Sequence, residues 1–135
     1  MTKYCTDSNY GTIDNKTTLD FQDDVAYVRW GKDWRMPTFD EQKELLKKCT
    51  WTKTYLNGKL GYNITGPNGN SIFMPAAGYY LDNGLVISDK GYYWPNTLDN
   101  IANCGAFSLY FNNTSHDWYS YFRYIGLTVR PVFNN

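Results

Sequence analysis

Gly105–Phe111 reads GAFSLYF, and its strict alternation is the clearest statement of architecture in the chain. Successive strand side chains point to opposite sheet faces, so Phe107, Leu109 and Phe111 share one face while Ala106, Ser108 and Tyr110 share the other. The first set is expected to be core. The second is expected to leave Ser108 and Tyr110 accessible. Next comes HDWYSYFRYIGLTVRPV, residues 116–132, which crowds Trp118, Tyr119, Tyr121, Phe122 and Tyr124 into a short span. A chain of 135 residues has too little interior to cover all of these rings. Some therefore face water, and exposed Tyr and Trp beside small polar residues suit a binding surface, because they offer rigid contact area and hydrogen bonding at low entropic cost.

Beyond this stretch, GLTVRPV alternates again, Leu127 and Val129 against Thr128 and Arg130, with Pro131 marking an edge or strand end. Upstream, GYYLDNGLVISDKGYYW carries Asn83-Gly84 as a turn. GYNITGPNGNSIFMPAAG predicts two short strands over 62–65 and 71–74, joined by the turn residues Gly66, Pro67, Asn68 and Gly69. One helix is well marked in PTFDEQKELLKKC: Thr38 with Glu41 three residues on forms a capping box, and Phe39, Gln42, Leu45, Leu46 and Cys49 recur at helical spacing. The apolar run Val25–Trp30 reads equally as a strand or a helical turn. The fold class implied is α+β, with an early helix, late short antiparallel strands and long loops, in a single domain over 1–135.

Composition narrows the function. Lysine plus arginine equals aspartate plus glutamate at 13 each, without a basic run, so nucleic acid and anionic lipid are not partners suggested by charge. No stretch approaches the length of a spanning helix, and MTKYCTDSNYG has no apolar signal-peptide core. Cys5, Cys49 and Cys104 lack CxxC spacing; they admit one disulfide with a cysteine left over, Cys5 to Cys49 being favoured, or three reduced thiols. Asp20, Asp23 and Asp24 lack the ligand spacing of a calcium loop and read as a solvated turn, so no metal is expected. His116, the only histidine, has Ser115 and Asp117 beside it, but chain neighbours seldom converge as a catalytic triad requires. No nucleotide-binding glycine motif occurs, no cofactor is indicated, and the chain is not expected to be an enzyme.

Taken together, CTDSNYG, WGKDWRMPTFDEQKELLKKCTW, GYNITGPNGNSIFMPAAGY, GYYW and GLTVRPV resemble, across nearly the whole chain, the Fibrobacter succinogenes major paralogous domain, a group widespread in gut Bacteroidetes. The resemblance implies a C-type lectin-like fold with a ligand surface near the C-terminus. The final forty or so residues further resemble the variable regions of diversity-generating retroelement proteins, in which adenine-directed errors of a reverse transcriptase rewrite Asn-type codons. On that resemblance, 92–132 is the variable region, with Trp94, Leu109, Phe111, Arg123, Gly126, Val129, Arg130 and Pro131 as scaffold. The diversified, ligand-binding positions it implies are Tyr92, Asn96, Asp99, Asn100, Ile101, Asn103, Ser108, Tyr110, His116, Asp117, Tyr119, Tyr121, Tyr124 and Ile125. Pro95-Asn96 stands where the group more often has two serines, and the calcium tripeptides EPN, QPD and WND are absent, so calcium-dependent sugar recognition is not implied. The expected function is that of a module presenting a tyrosine-rich surface to a protein or glycan on a cell surface, displayed on a phage particle or a bacterial surface. The alternative is a carbohydrate-binding or adhesin domain of fixed specificity. An oxidase of the same broad fold would need a reactive cysteine pair, which Cys104 alone does not supply.

Overall fold

The computed structural model describes residues 3–99 and 104–134. Among them the chain is mixed α+β, with few helices and many short antiparallel strands in small sheets. In chain order these are α1 (Val25–Trp30), β1 (Trp34–Arg35), α2 (Phe39–Lys48), β2 (Thr50–Leu56), β3 (Lys59–Thr65), β4 (Ser71–Pro75), β5 (Tyr79–Leu81), β6 (Gly84–Val86), β7 (Gly91–Tyr93), β8 (Gly105–Phe111), β9 (His116–Phe122) and β10 (Val132–Phe133). Two three-stranded sheets, β2-β3-β4 and β7-β8-β9, carry most of the pairing; β5-β6 is a hairpin, and β1 pairs with β10.

The undecided run after Asp24 is helical because Asp24 caps it. Its Oδ1 accepts from the N–H groups of Ala26 (2.9 Å) and Tyr27 (3.1 Å), and its Oδ2 accepts from Met36 N–H (2.8 Å). Asp24 is buried, so the expectation of a solvated turn is corrected at this residue: three backbone donors replace its water. A second departure is β2, a strand not expected from the sequence. Its hairpin with β3 turns on Asn57 (φ 48°) and Gly58 (φ 74°), a pair of left-handed residues of the kind that tight hairpins demand. In the β5-β6 hairpin the turn residues are Asp82 and Asn83, while Gly84 opens β6. The closing run is not one strand either: Gly126 bridges to Tyr80 and Thr128 to Tyr93, so each residue answers to a different neighbour. Leu127, Thr128 and Val129 are consequently all half-buried instead of alternating.

Helix α2 forms as its capping box requires. Thr38 Oγ1 accepts from Glu41 N–H (3.2 Å), and Glu41 Oε2 accepts from Thr38 N–H (2.8 Å). The same carboxylate takes both Arg35 guanidinium nitrogens at 2.7 Å, which holds the Glu41 carboxyl down at about 2, well below its ordinary 4.5. A depressed acid contributes stability that is complete above its unfolded pKa and lost as pH falls through the folded one. The melting temperature is therefore expected to fall between pH 4.5 and 2, and Glu41→Gln, which can still close the box, to flatten that part of the profile. Glu41 is 40 % exposed, so solvent screening keeps the effect to about 1 kcal/mol or less. Equal acid slopes in both proteins would show that the pair does not contribute.

The core lies between α2, the β3-β4 pair and the inner face of β7-β8. Tyr62, Ile64, Met74, Tyr93, Leu109 and Phe111 are buried together, and Leu45, Leu46, Cys49, Trp51, Ile72 and Ala76 pack against them. Gln42, placed on this side by its helical period, is buried as well. A smaller cluster of Tyr4, Leu98 and Ala106 ties the N-terminal segment to β8. All three cysteines are free thiols, which corrects the favoured Cys5 to Cys49 bridge in favour of the reduced alternative.

Candidate ligand-binding face

Strand register sorts the C-terminal aromatics into two sets. Tyr92 of β7 stands opposite Tyr110 of β8, which stands opposite Asp117 of β9; Ser108 faces Tyr119, and Ala106 faces Tyr121. One side of the sheet thus carries Tyr92, Ala106, Ser108, Tyr110, Asp117, Tyr119 and Tyr121. The reverse side carries Tyr93, Phe107, Leu109, Phe111, His116 and Trp118, and closes the core. The alternation of GAFSLYF is therefore real, and the crowding of β9 is divided between the two faces.

On the outer side the rings touch one another in sequence. Tyr92 meets Tyr79 (centroids 5.4 Å apart), Tyr110 (5.2 Å) and Tyr121 (5.3 Å); Tyr119 meets Tyr110 (5.3 Å) and Tyr121 (6.5 Å). Most of these contacts are edge-to-face, the arrangement that the ring quadrupole favours. Burial, helped by the neighbouring tyrosines, pushes the Tyr92 and Tyr121 hydroxyls above their ordinary value. They remain protonated near neutral pH and serve as uncharged donors and acceptors. Asp117 is the sole charged residue of β7, β8 and β9. Beside the rings a cavity of about 190 Å³ is lined by Tyr79, Leu81, Tyr92, Tyr121, Ile125 and Leu127.

The expected site residues fall into distinct places on this frame. Tyr92, Tyr110, Asp117, Tyr119 and Tyr121 come together, and Ile125 joins them at the cavity. Tyr92 is nonetheless buried, its ring enclosed by three other tyrosines. Ser108 is a correction: it is wholly buried instead of accessible, because so small a side chain at the middle of the central strand sits below the rings of its neighbours. Phe107 is only half-buried, being near the sheet end, where its ring stacks on Phe39 at 4.1 Å. His116 is the second correction: although exposed, its ring lies on the opposite side of the sheet from the tyrosines, stacked on Trp51 at 4.4 Å. Desolvation against that ring holds its imidazole below the ordinary value, with Asp117 pulling the other way.

Tyr124 is exposed but belongs to a separate stacked pair with Phe122 (5.3 Å) in the turn after β9. Asn96 ties two loops together through its backbone, its N–H donating to Pro37 C=O (2.8 Å) and its carbonyl accepting from Leu19 N–H (2.9 Å). Asp99 is half-buried directly after the Leu98 bridge to Ala106. Asn100, Ile101 and Asn103 lie outside the described residues. Tyr79, Leu81 and Leu127 were not expected at the site; the repeated Gly-Tyr-Tyr of residues 78–80 and 91–93 was the available signal.

The arrangement offers a hydroxyl-tipped aromatic platform with one carboxylate at its edge. Among the described residues no group of three or more His, Cys, Asp or Glu side chains is placed to hold a metal ion. No family model, curated protein or solved structure matches the chain.

Proposed function

We propose that the chain is a ligand-binding module of C-type lectin-like fold whose tyrosine face, Tyr79, Tyr110, Tyr119 and Tyr121 with Asp117, supported from below by the buried Tyr92, contacts a protein or glycan on a cell surface. The observation that carries this reading is the division of labour across β8. Leu109 and Phe111 are buried in the core, while on the opposite side Tyr110 and Tyr119 present rings that can be exchanged without emptying it. The early helix, the late antiparallel sheet and the C-terminal location of the face are those implied by the Fibrobacter succinogenes major paralogous domain and its C-type lectin-like relatives.

Within that reading the chain is a variable protein of a diversity-generating retroelement, displayed on a phage or bacterial surface. The burial of Tyr92 and Ser108 and the placement of His116 on the other side of the sheet remove three residues from the free face, so diversification at those positions is constrained by packing. The encoding locus tests this. A reverse-transcriptase gene with a near-copy of the final forty or so codons, mismatched mainly at adenines, is the expected finding. Its absence, with the face still binding a ligand, would leave a fixed-specificity adhesin.

A further inference from the structure

Four tyrosines of the outer face form a closed circuit: Tyr92 to Tyr110 (5.2 Å), Tyr110 to Tyr119 (5.3 Å), Tyr119 to Tyr121 (6.5 Å) and Tyr121 back to Tyr92 (5.3 Å). The circuit closes over Ser108, which is wholly buried, and Tyr92 is its one buried member. A ligand therefore meets it from outside, where Tyr119 is exposed and Tyr110 half-buried. Charge and ring orientation decide what kind of ligand that is.

Asp117 stands beside this opening. It faces Tyr110 across the β8-β9 pair and lies two residues from Tyr119 on the same side of the sheet. Its side chain is exposed; Oδ1 accepts from Trp118 N–H (2.8 Å), and among the described residues it joins no ion pair. His116, its neighbour along the strand, lies on the other side of the sheet against Trp51, where desolvation holds the imidazole below its ordinary value. The carboxylate is thus uncompensated, and the tyrosine ring faces beside it carry the negative side of the ring quadrupole. Both attract a cation.

Ring orientation points the same way. Around the circuit the planes meet at 51°, 80°, 71° and 88°, so neighbouring faces form corners instead of one plane. A pyranose stacks on an open plane, whereas a cationic group in a corner touches two ring faces at once. Tyr110 is also held in place: its Oη accepts from Asn112 Nδ2 (2.9 Å), and Asn112 Oδ1 is fixed by the N–H groups of Thr114 (2.8 Å) and Ser115 (2.9 Å). The corner is set before a ligand arrives, which lowers the ordering cost of binding. Among cationic side chains a guanidinium fits best, because it stacks on a ring by its plane and meets a carboxylate by its edge.

We propose that the tyrosine face recognises a protein ligand through an arginine side chain, its guanidinium lying against Tyr110 and Tyr119 and paired with Asp117. This occupant rests on the tyrosine face being a binding surface, and it narrows the partner to a protein with a basic patch.

The test titrates the intact chain, labelled in its tyrosine rings for NMR, with N-acetylarginine methylamide, its neutral isostere N-acetylcitrulline methylamide, and methyl β-glucoside, all at constant ionic strength. Saturable shifts of Tyr110 and Tyr119 by the arginine compound are expected, with a dissociation constant on the order of 10–100 mM, since one exposed ion pair and two ring contacts are individually weak. The citrulline compound and the glucoside should bind about threefold more weakly or worse. Asp117→Asn, which keeps an oxygen for Trp118 N–H, should remove the preference for arginine over citrulline. Tyr119→Leu should weaken the arginine compound about threefold, while Tyr119→Phe, which keeps the ring, should bind it nearly as the parent does. Equal binding of arginine and citrulline, an arginine preference that survives Asp117→Asn, or no saturable shift at these tyrosines up to ~200 mM would each overturn the arginine occupant. Tighter binding of the glucoside at the same tyrosines would also overturn it, and would assign the face to a glycan. The binding-face reading has its own test in the encoding locus, so the two fail separately.

Discussion

Phe111→Ala is expected to destabilise the domain by roughly 3 to 5 kcal/mol, a large part of the about 5–15 kcal/mol that holds a typical domain folded. The ring is fully buried and meets Trp51, Tyr62 and Tyr93 at centroid separations of 5.8, 5.3 and 6.0 Å. It also lies so close to Gly91 that a Cβ there would overlap it, so β7 and the ring are fitted to each other and the backbone has little scope to collapse into the void. Tyr119→Ala, on the opposite face of the same β8-β9 hairpin, supplies the contrast. Its ring is half exposed and loses only edge contacts with Tyr110 and Tyr121, so about 0.5–1 kcal/mol is expected while binding by the face is reduced. Ser108 does not behave like Tyr119. Being buried, it should tolerate alanine, whereas Ser108→Tyr should cost about 1–3 kcal/mol by overpacking. Urea melts on the four proteins measure these values. Comparable losses for Phe111→Ala and Tyr119→Ala would show that the tyrosines are core, and would remove the basis for the binding face.

The next largest effect is expected at Asp24. Removing its carboxylate uncaps α1 and strands the Met36 N–H inside the protein, since Met36 is itself buried. Loss of the cap costs about 0.5–2 kcal/mol and the stranded donor about 1–3, so Asp24→Ala should lower stability by roughly 2 to 4 kcal/mol. Asp24→Asn keeps one acceptor oxygen for either the helix or Met36, not both, and should fall between. A loss below about 0.5 kcal/mol in Asp24→Ala would mean that the α1 cap and the Met36 tether contribute little.

Elements whose cause is local were legible in the chain. The capping box of Thr38 and Glu41, the helical period through Gln42 and Leu45, and the turn between β3 and β4 each depend on residues within a few positions of one another. So did the alternation of β8, since a strand's side chains must change sides at every residue. A signal for β2 was present as well, in Asn57-Gly58 and its flanking β-branched and aromatic residues, although it did not enter the expected set of strands.

Local pattern along the chain dictates which residues share a side of each element; which side is covered, and by what, came from tertiary structure alone. Alternation groups Ser108 with Tyr110, but only the placement of Tyr119 opposite Ser108, with Tyr121 and the buried Tyr92 beside it, buries the serine and leaves Tyr110, Tyr119 and Tyr121 partly open. His116 follows the same rule, because its side was set by parity along β9, yet the ring it stacks on is Trp51, a residue of another sheet. Val25–Trp30 became helical through a carboxylate that also reaches Met36, twelve residues from Asp24. Burial is a property of what lies across a contact, and those partners are distant in the chain, so their effect has no local sequence signature.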